Sequence, residues 1–466
     1  MVWCRLMRSS VVFKKINKKL ILVLIQIFLN IFFIELNASH NTSRYFPFLE
    51  RPAEYVTKRT SHVSPSLFIT DASTAFARGG GNAGIPELYG QYDLRDVIAS
   101  LQQVKGPTYI NPIERERGPA DAWLDKSIKF RVNGKIKSVG LLLNYEQYLK
   151  ISGFNLKMKG VSFGASVPLM QVNTSDSFVF NPTGSDNAVQ NLRDGELDQL
   201  NRIRRTVNDD LGVLAGDWTK DGLGDLDLHA SLNYNWDHKW LMRSIDLNFR
   251  LGVTAPIGVN SDVTYPSSAS FMGDGHWSTY FDILPEFELK QDWCIGLLLG
   301  FMYQLENTRS VRTPVYQEPA NFSALSIRLK TDPGMTFKIS PYLSAKNLTD
   351  GIDFHVRYTY LRHNDDKYYD DRSGNFVKSY LNQDVGTEIW TGKNLTQKDI
   401  TDNIASKANL TRWRMHYITF EILYNSKEAG NNWVLDPSFF MTYDYQFSGN
   451  GSCKTHQFTV GVQAKF

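Results

Sequence analysis

The last residues of the chain, HQFTVGVQAKF (456–466), alternate strictly between apolar and polar side chains. The apolar positions are Phe458, Val460, Val462, Ala464 and Phe466, and polar or small residues fill the gaps. A repeat of two residues is typical of a β-strand with one apolar and one polar face. The sequence therefore predicts a strand at the end of the chain and a fold in which this end belongs to a sheet.

Long runs of the same alternation recur from residue 136 onward. They include DLDLHASLNYNW (225–236), GIDFHVRYTY (351–360) and WVLDPSFFMTYDYQF (433–447). Two folds fit this pattern. In a soluble β-sandwich the apolar faces meet in a core, whereas in a membrane β-barrel they contact lipid and the polar faces line the lumen.

Strand length and composition favour the barrel. Several runs extend over about 10–15 residues, whereas soluble strands have about 5–6 and a tilted strand needs about 9–11 to cross a bilayer. Aromatic residues make up 13% of the chain and lie at the ends of runs, as at Trp236, Tyr358 and Trp433. Belts of aromatic residues mark the membrane–water interfaces. The sequence thus predicts an all-β fold, a transmembrane antiparallel up-and-down β-barrel.

Residues 1–39 have the pattern of a signal peptide. Six basic residues precede an apolar run from Leu20 to Leu36, and small residues follow it. An uncleaved N-terminal membrane anchor is the alternative. Without this segment the chain is close to neutral, so its charge gives no indication of nucleic-acid binding. The remaining cysteines, Cys294 and Cys453, are interpreted as two separate thiols.

The terminal strand resembles the C-terminal signature of bacterial outer-membrane β-barrel proteins, in which alternating apolar positions end in Phe. The resemblance implies an insertion signal that the barrel-insertion machinery reads, formed by Phe458, Val460, Val462, Ala464 and Phe466. It also implies export to the bacterial outer membrane, with outer-membrane lipid around the barrel. Because a barrel has no free edge, the last strand is expected to pair with the first.

Residues 126–466 are predicted to form the barrel. They hold about eleven candidate strands, and bacterial barrels have an even number. One further strand is expected before residue 136, in SIKFRV (127–132) or in SPSLFITDASTAF (64–76), which gives about 12 strands. With short turns at the periplasmic end, the longest external loops are 172–224 and 364–411. The strand-like FSALSIRLK (322–330) breaks this alternation of connections, so we interpret it as part of a loop hairpin.

Residues 40–125 are predicted to form an N-terminal periplasmic extension or a plug of the lumen. Within them Leu94, Val97, Ile98 and Leu101 have helical spacing behind Asp93 as the N-cap. A second helical pattern, at 186–210, lies in the first long external loop.

A second resemblance concerns GLGDL (222–226) and the later Pro256–Gly258 strand end. This pair of motifs is similar to outer-membrane transporter-like barrels of the family linked to the meta-pathway of phenol degradation, although Ile257 replaces the usual Thr. It covers less than about a tenth of the chain and supports a barrel rather than an aromatic substrate.

Two sets of residues suggest catalysis. The pairs Asp209–Asp210 and Asp237–His238 resemble those of omptin proteases, but the order of loops and turns places them at opposite ends of the barrel. His229 and Ser231 share one strand face, as a phospholipase would require, but any polar lumen contains such residues. We therefore expect no enzyme.

The stretch HNDDKYYDDR (363–372) is a candidate metal site, because its four aspartates offer the oxygen ligands that Ca²⁺ prefers. A solvated charge cluster explains this stretch more simply. We expect no metal ion and no cofactor.

The polar strand faces are predicted to line the lumen. The predicted lumen-lining residues are Asp227, His229, Asn233, Asp246, Asn248, Arg250, Asp282, Glu286, Glu288, Lys338, Asp353, His355, Arg357, Glu421, Asp436 and Asp444. About twelve strands leave a narrow interior. The predicted function is a narrow channel for passive passage of small solutes. The alternative is a structural or adhesive surface barrel that binds partners through loops 172–224 and 364–411.

Overall fold

The computed structural model describes residues 43–46, 51, 60–106, 109–119, 121–150, 158–239, 242–290, 292–315, 317–370, 408–431, 433 and 436–466. The predicted signal peptide and most of loop 364–411 lie outside the described residues. In the part of the chain that the structure describes, no helix combines the length and the hydropathy needed to cross a membrane.

Twelve antiparallel strands form a closed barrel in which each strand pairs with its neighbours in chain order. The wall strands are β1 (His62–Ala72), β2 (Lys129–Lys150), β3 (Met158–Phe180), β4 (Leu226–Lys239), β5 (Met242–Ala255), β6 (Ser278–Lys290), β7 (Trp293–Gln304), β8 (Thr336–Thr349), β9 (Ile352–His363), β10 (Trp413–Asn425), β11 (Ser438–Asn450) and β12 (His456–Lys465). The barrel closes between β1 and β12, where Ile69 lies opposite Phe458. The predicted fold class and strand number are confirmed.

The burial of the wall is inverted relative to a soluble protein. On β1 the outward residues Val63, Leu67 and Ile69 are exposed, whereas the inward residues Ser64 and Thr70 are buried. The predicted insertion signal also lies on the outer surface, with Phe458 and Phe466 exposed to 40% and 60%. Apolar side chains therefore face the surroundings of the barrel and polar ones face its interior, which is the arrangement of an outer-membrane protein.

The outward apolar band has the height of a bilayer core. On β2 the outward residues change from the polar Lys135 and Lys137 to Val139, and the following outward positions to Leu149 are apolar except for Gln147. Ten residue steps of a strand tilted by about 40° span about 26 Å along the barrel axis. Strands β2 and β3 extend well beyond this band, because they contain 22 and 23 residues.

Connections of two kinds define the two ends of the barrel. Wall strands are joined by short segments at one end, such as 350–351, which we call the turn end. At the opposite end, the loop end, long segments such as 73–128 and 305–335 join them. Residues 322–330 lie in a loop sheet, since Leu325–Asp332 pairs with Asn307–Thr313 rather than with a wall strand, as predicted.

The long loops fold into a cap with its own apolar core. Its helices are α1 (Leu94–Lys105), α2 (Pro112–Arg117), α3 (Asn187–Gln190) and α4 (Glu196–Leu211), with 3₁₀ turns at Pro86–Tyr89, Pro182–Gly184 and Ala320–Phe322. Both predicted helical patterns are thus helices. Leu94, Ile98 and Ile203 are fully buried in one cluster, and Asp93 caps α1 by accepting the Arg95 N–H at 3.1 Å.

The N-terminal boundary of the barrel differs from the prediction. The wall begins at His62 rather than near residue 126, because the candidate strand in 64–76 is β1. The other candidate, 127–132, is the start of β2, whose alternation continues into the membrane band. Helix α1 therefore belongs to the β1–β2 connection at the loop end and not to a periplasmic extension that precedes the barrel.

Candidate functional site

The barrel lumen collects nearly all of the predicted lumen-lining residues. Fifteen of the sixteen lie on wall strands at inward positions, and among them Asp282, Lys338, His355 and Glu421 are 2% exposed or less. Asp436 is the exception. It lies in the turn before β11, with its carboxylate 3.8 Å from Lys427 Nζ.

His229 is held between two carboxylates in the lumen. Its Nδ1 lies 2.8 Å from Asp227 Oδ1 on the same strand, β4. Its Nε2 lies 3.0 Å from Oε2 of Glu146, which is on β2, two strands along the wall. Gly164 makes room for the imidazole, since a Cβ there would come within 2.2 Å of Nε2. Both ring nitrogens are therefore engaged, and the structure shows no Ser231–His229 hydrogen bond of the kind a phospholipase needs.

A second luminal cluster surrounds Glu286 near the turn end. The Tyr342 hydroxyl donates to Glu286 Oε2 at 2.6 Å, and Lys346 Nζ lies 3.2 Å from Oε1. Burial of a charge is tolerated only with such partners. Sequence reasoning identified Glu286 but not Tyr342 or Lys346, which come from β8, two strands along the wall.

A third cluster includes a residue from the N-terminal segment. Arg51 Nε and Nη2 lie 2.9 and 2.8 Å from Glu421 Oε1, and the Arg51 guanidinium lies 3.2 Å from the centre of the Phe440 ring. Arg51 is only 7% exposed. Because Glu421 and Phe440 point inward from β10 and β11, Arg51 lies inside the barrel.

Residues 43–46 also lie inside, closer to the loop end. Arg44 donates from Nη2 to the Thr411 carbonyl at 2.6 Å and to the Leu410 carbonyl at 3.2 Å. Phe46 is fully buried in a cluster with inward residues of the wall, including Phe68 and Ile136. The described part of the N-terminal segment thus occupies the lumen at two depths.

Large inward rings narrow the lumen further, and several of them lie over a glycine of the adjacent strand. The register-paired examples are Phe68 over Gly140, Tyr280 over Gly252, Tyr342 over Gly296 and Phe440 over Gly461. At each of these glycines a Cβ would come within 2.6 Å of the ring. The glycines therefore allow the rings to lie flat against the wall.

Asp225 explains the Gly-Leu-Gly-Asp-Leu motif and the later Pro-x-Gly strand end. Its two carboxylate oxygens accept the Gly258 N–H at 2.9 Å and the Gly273 N–H at 2.8 Å. Burial raises the pKa of Asp225, although these two N–H groups oppose the increase. The motif therefore holds the β5–β6 loop against the start of β4.

The other candidate sites do not assemble. Asp209 and Asp210 lie in α4 at the loop end, whereas Asp237 lies at the end of β4 at the turn end, so the protease-like pairs are separated by the length of the barrel. Tyr109 donates to Asp210 at 2.7 Å.

Two of the four aspartates of 363–372, Asp365 and Asp366, have partners within the protein. Asp366 Oδ1 lies 2.9 Å from His363 Nε2 and accepts the Gly334 N–H at 2.9 Å, and Asp365 pairs with Arg412. No group of three or more His, Cys, Asp or Glu side chains suited to a metal is found among the described residues. Asp371 lies outside them. Cys294 and Cys453 are both free and buried, as predicted.

No protein-family model matches this chain, and no curated protein matches it. Among solved structures, it is similar to the COG4313 outer-membrane channel from Pseudomonas putida F1, with 10% identity over 90% of this chain and 100% of that chain and a TM-score of 0.48. It is also similar to a mutant of TodX, a monoaromatic hydrocarbon channel, with 9% identity over 93% and 97% of the two chains and a TM-score of 0.32. A third similar structure is the outer-membrane protein OprD from Pseudomonas aeruginosa, with 7% identity over 92% of this chain and 97% of that chain and a TM-score of 0.26.

Proposed function

We propose that this protein is a channel of the bacterial outer membrane that lets small solutes pass through a narrow lumen. The observation that carries the proposal is the polar, charged inner face of a closed wall whose outer face is apolar. The apolar outer band requires a lipid bilayer around the barrel. The polar interior is the property that distinguishes a solute pathway from a packed apolar core.

The charges of the lumen restrict which solutes would pass. Carboxylates outnumber guanidinium and ammonium groups on the inner face, and several are paired, as at Glu286–Lys346 and Glu421–Arg51. Paired charges leave a weak net field, which favours cations and neutral solutes modestly over anions. Arg51, Phe46 and the inward rings reduce the free cross-section, so passage is limited to ions and small molecules.

Conductance measurements test this proposal. Protein without residues 1–39, refolded in detergent and inserted into planar bilayers, is expected to give small, ohmic single-channel currents with a modest preference for K⁺ over Cl⁻. Liposomes containing the protein should swell in small neutral solutes and not in large oligosaccharides. A complete absence of ion current and of swelling from correctly folded protein would exclude the channel.

A second candidate function is a structural or adhesive surface barrel that binds partners, and the observation in its favour is the folded cap. Loop residues form a folded unit in which Ile110, Leu197 and Leu214 are exposed to 57%, 45% and 51%. Exposed apolar side chains on a folded loop structure are available for contact with a partner. Binding of intact cells or of matrix proteins by the refolded barrel, together with the absence of current, would favour this alternative.

The C-terminal strand supports the proposed biogenesis. Phe458 and Val460 on β12, and Phe466 directly after it, are exposed on the outer surface, and β12 closes the wall against β1. We infer that these residues form the signal for the barrel-insertion machinery. Replacing Phe466 with Asp is expected to reduce assembly in cells much more than refolding in detergent, which needs no machinery.

A further inference from the structure

Two arginines stand side by side on the outer surface of the barrel. Arg362 on β9 and Arg414 on β10 are directly paired across the two strands, and both side chains are exposed and point outward. Like charges directly opposite each other destabilise a sheet. Among the described residues, neither side chain forms an ion pair or a hydrogen bond, so no acidic group in this part of the chain compensates the repulsion.

The arginine pair lies at the edge of the lipid-facing band. Next to the pair, toward the turn end on the same two strands, lie the outward residues Tyr360, Tyr358 and His416. The Tyr358 hydroxyl lies 2.8 Å from His416 Nδ1. The outward residues beyond them, such as Phe420 and Ile422, are apolar and exposed. Aromatic girdles mark the membrane interface. The two guanidinium groups are therefore at the level of the lipid headgroups.

The surroundings of the pair are basic and hydrogen-bond donating. Asn450 lies opposite Arg414 on the other neighbouring strand. Arg412 lies two residues before Arg414, and Arg78 donates to the Arg412 carbonyl at 3.0 Å. Burial and the positive charges of Arg44 and Arg412 lower the pKa of Arg78 to about 10, although Asp365 opposes this. Arg412 is itself paired with Asp365, so the uncompensated positive charge at this part of the rim lies on Arg362 and Arg414.

We propose that Arg362 and Arg414 form a binding site for the phosphate group of an anionic lipid in the leaflet at the loop end. A guanidinium group matches phosphate oxygens in a bidentate fashion, and one phosphate between two guanidinium groups would remove their mutual repulsion. The acyl chains of the same lipid would lie against Tyr358 and Phe420. The proposal rests on the proposed placement in an outer membrane, but it does not depend on an open lumen.

Native mass spectrometry of the folded protein with bisphosphorylated lipid A tests this site. The variant R362Q/R414Q is expected to bind this lipid at least about tenfold more weakly than the unmodified protein, because two charge-assisted contacts are lost. The matched control is R243Q/K150Q, which removes two positive charges at the turn-end rim and should bind as the unmodified protein does. Circular dichroism and heat-dependent gel mobility establish that both variants fold.

Three results would overturn the assignment. The double variant could retain full affinity, dephosphorylated lipid A could bind as tightly as the phosphorylated form, or inorganic phosphate could compete at the same concentration as the lipid. Channel currents are recorded from the same samples. Since both arginines face away from the lumen, R362Q/R414Q should keep unmodified conductance, so loss of lipid binding and failure of the channel proposal are seen separately.

Discussion

Replacing Arg51 with methionine tests whether the N-terminal segment obstructs the lumen. Arg51 and Glu421 are both buried, and the guanidinium nitrogens lie 2.8 and 2.9 Å from Glu421 Oε1. Removing one partner of a buried ion pair leaves an uncompensated charge, which costs about 3–5 kcal/mol. Displacement of the segment would let water reach Glu421 and relieve this cost. A change of about 3 kcal/mol corresponds to roughly a hundredfold shift from the obstructed toward the displaced state.

The assay is single-channel recording on a double-mutant cycle. R51M is expected to show higher conductance or longer open times than the unmodified protein, and E421Q should change in the same direction. The double variant R51M/E421Q removes both charges of the pair, so its conductance should return toward the unmodified value, because neither Arg51 nor Glu421 leaves the other's charge behind. R131M, a change at an exposed arginine on the outer face of β2 above the lipid band, is the control and should leave the currents unchanged.

The reasoning fails if R51M retains both the unmodified current and the unmodified urea midpoint. It also fails if the double variant conducts as strongly as R51M. The second outcome would mean that lost side-chain volume, and not the unpaired charge of Glu421, displaces the segment.

Three further predictions concern the wall and the loops. G252A brings a Cβ within 2.2 Å of the Tyr280 ring and should destabilise the barrel by about 1–3 kcal/mol in urea titrations, with recovery in G252A/Y280A. D225A removes the acceptor of two loop N–H groups and should increase protease cleavage in 256–277 without changing the barrel's melting temperature. G258A should have the same effect, because the added Cβ would come within 2.6 Å of Asp225 Oδ1. Burial, with the nearby Asp93, raises the pKa of Asp96 to about 6, so the folded cap retains this proton after the unfolded chain has lost it. The cap should therefore lose stability as pH rises from about 4 to about 6. D96N should remove this loss and so stabilise the cap by up to about 3 kcal/mol at pH 7.5, as measured by urea-dependent proteolysis. An unchanged pH profile in D96N would contradict this.

Alternation was sufficient to identify the wall because inward and outward environments differ so strongly in a barrel. The run Leu226–Trp236 has apolar residues outside and Asp227, His229 and Ser231 inside, and the structure keeps that division. The alternation of short and long connections then identified 322–330 as a loop strand. Both inferences use information that is local in the sequence.

The partners of the charges could not be predicted because barrel closure brings them together. Glu146 meets His229 across 83 residues, and Arg51 meets Glu421 across 370. No spacing rule connects such positions. The start of the wall was misplaced for a different reason. In the first part of β2 the alternation is present, but its outward residues are the charged Arg131, Lys135 and Lys137 because this part lies above the lipid band, and so it differs from the pattern of a membrane strand.

In this inverted fold the lumen takes the place of a hydrophobic core. Its side chains are buried, but most are polar, and their stability depends on pairing rather than on apolar area. Lys338 is 2% exposed and Glu421 is not exposed at all, so a substitution that removes a charge affects the inner wall as a cavity mutation affects a soluble core. In the proposed channel, a solute would exchange hydrogen bonds with these groups as it passes. Polar pairing therefore gives the barrel a fixed inner shape and, at the same time, the hydrogen-bonding surface that the proposed channel function requires.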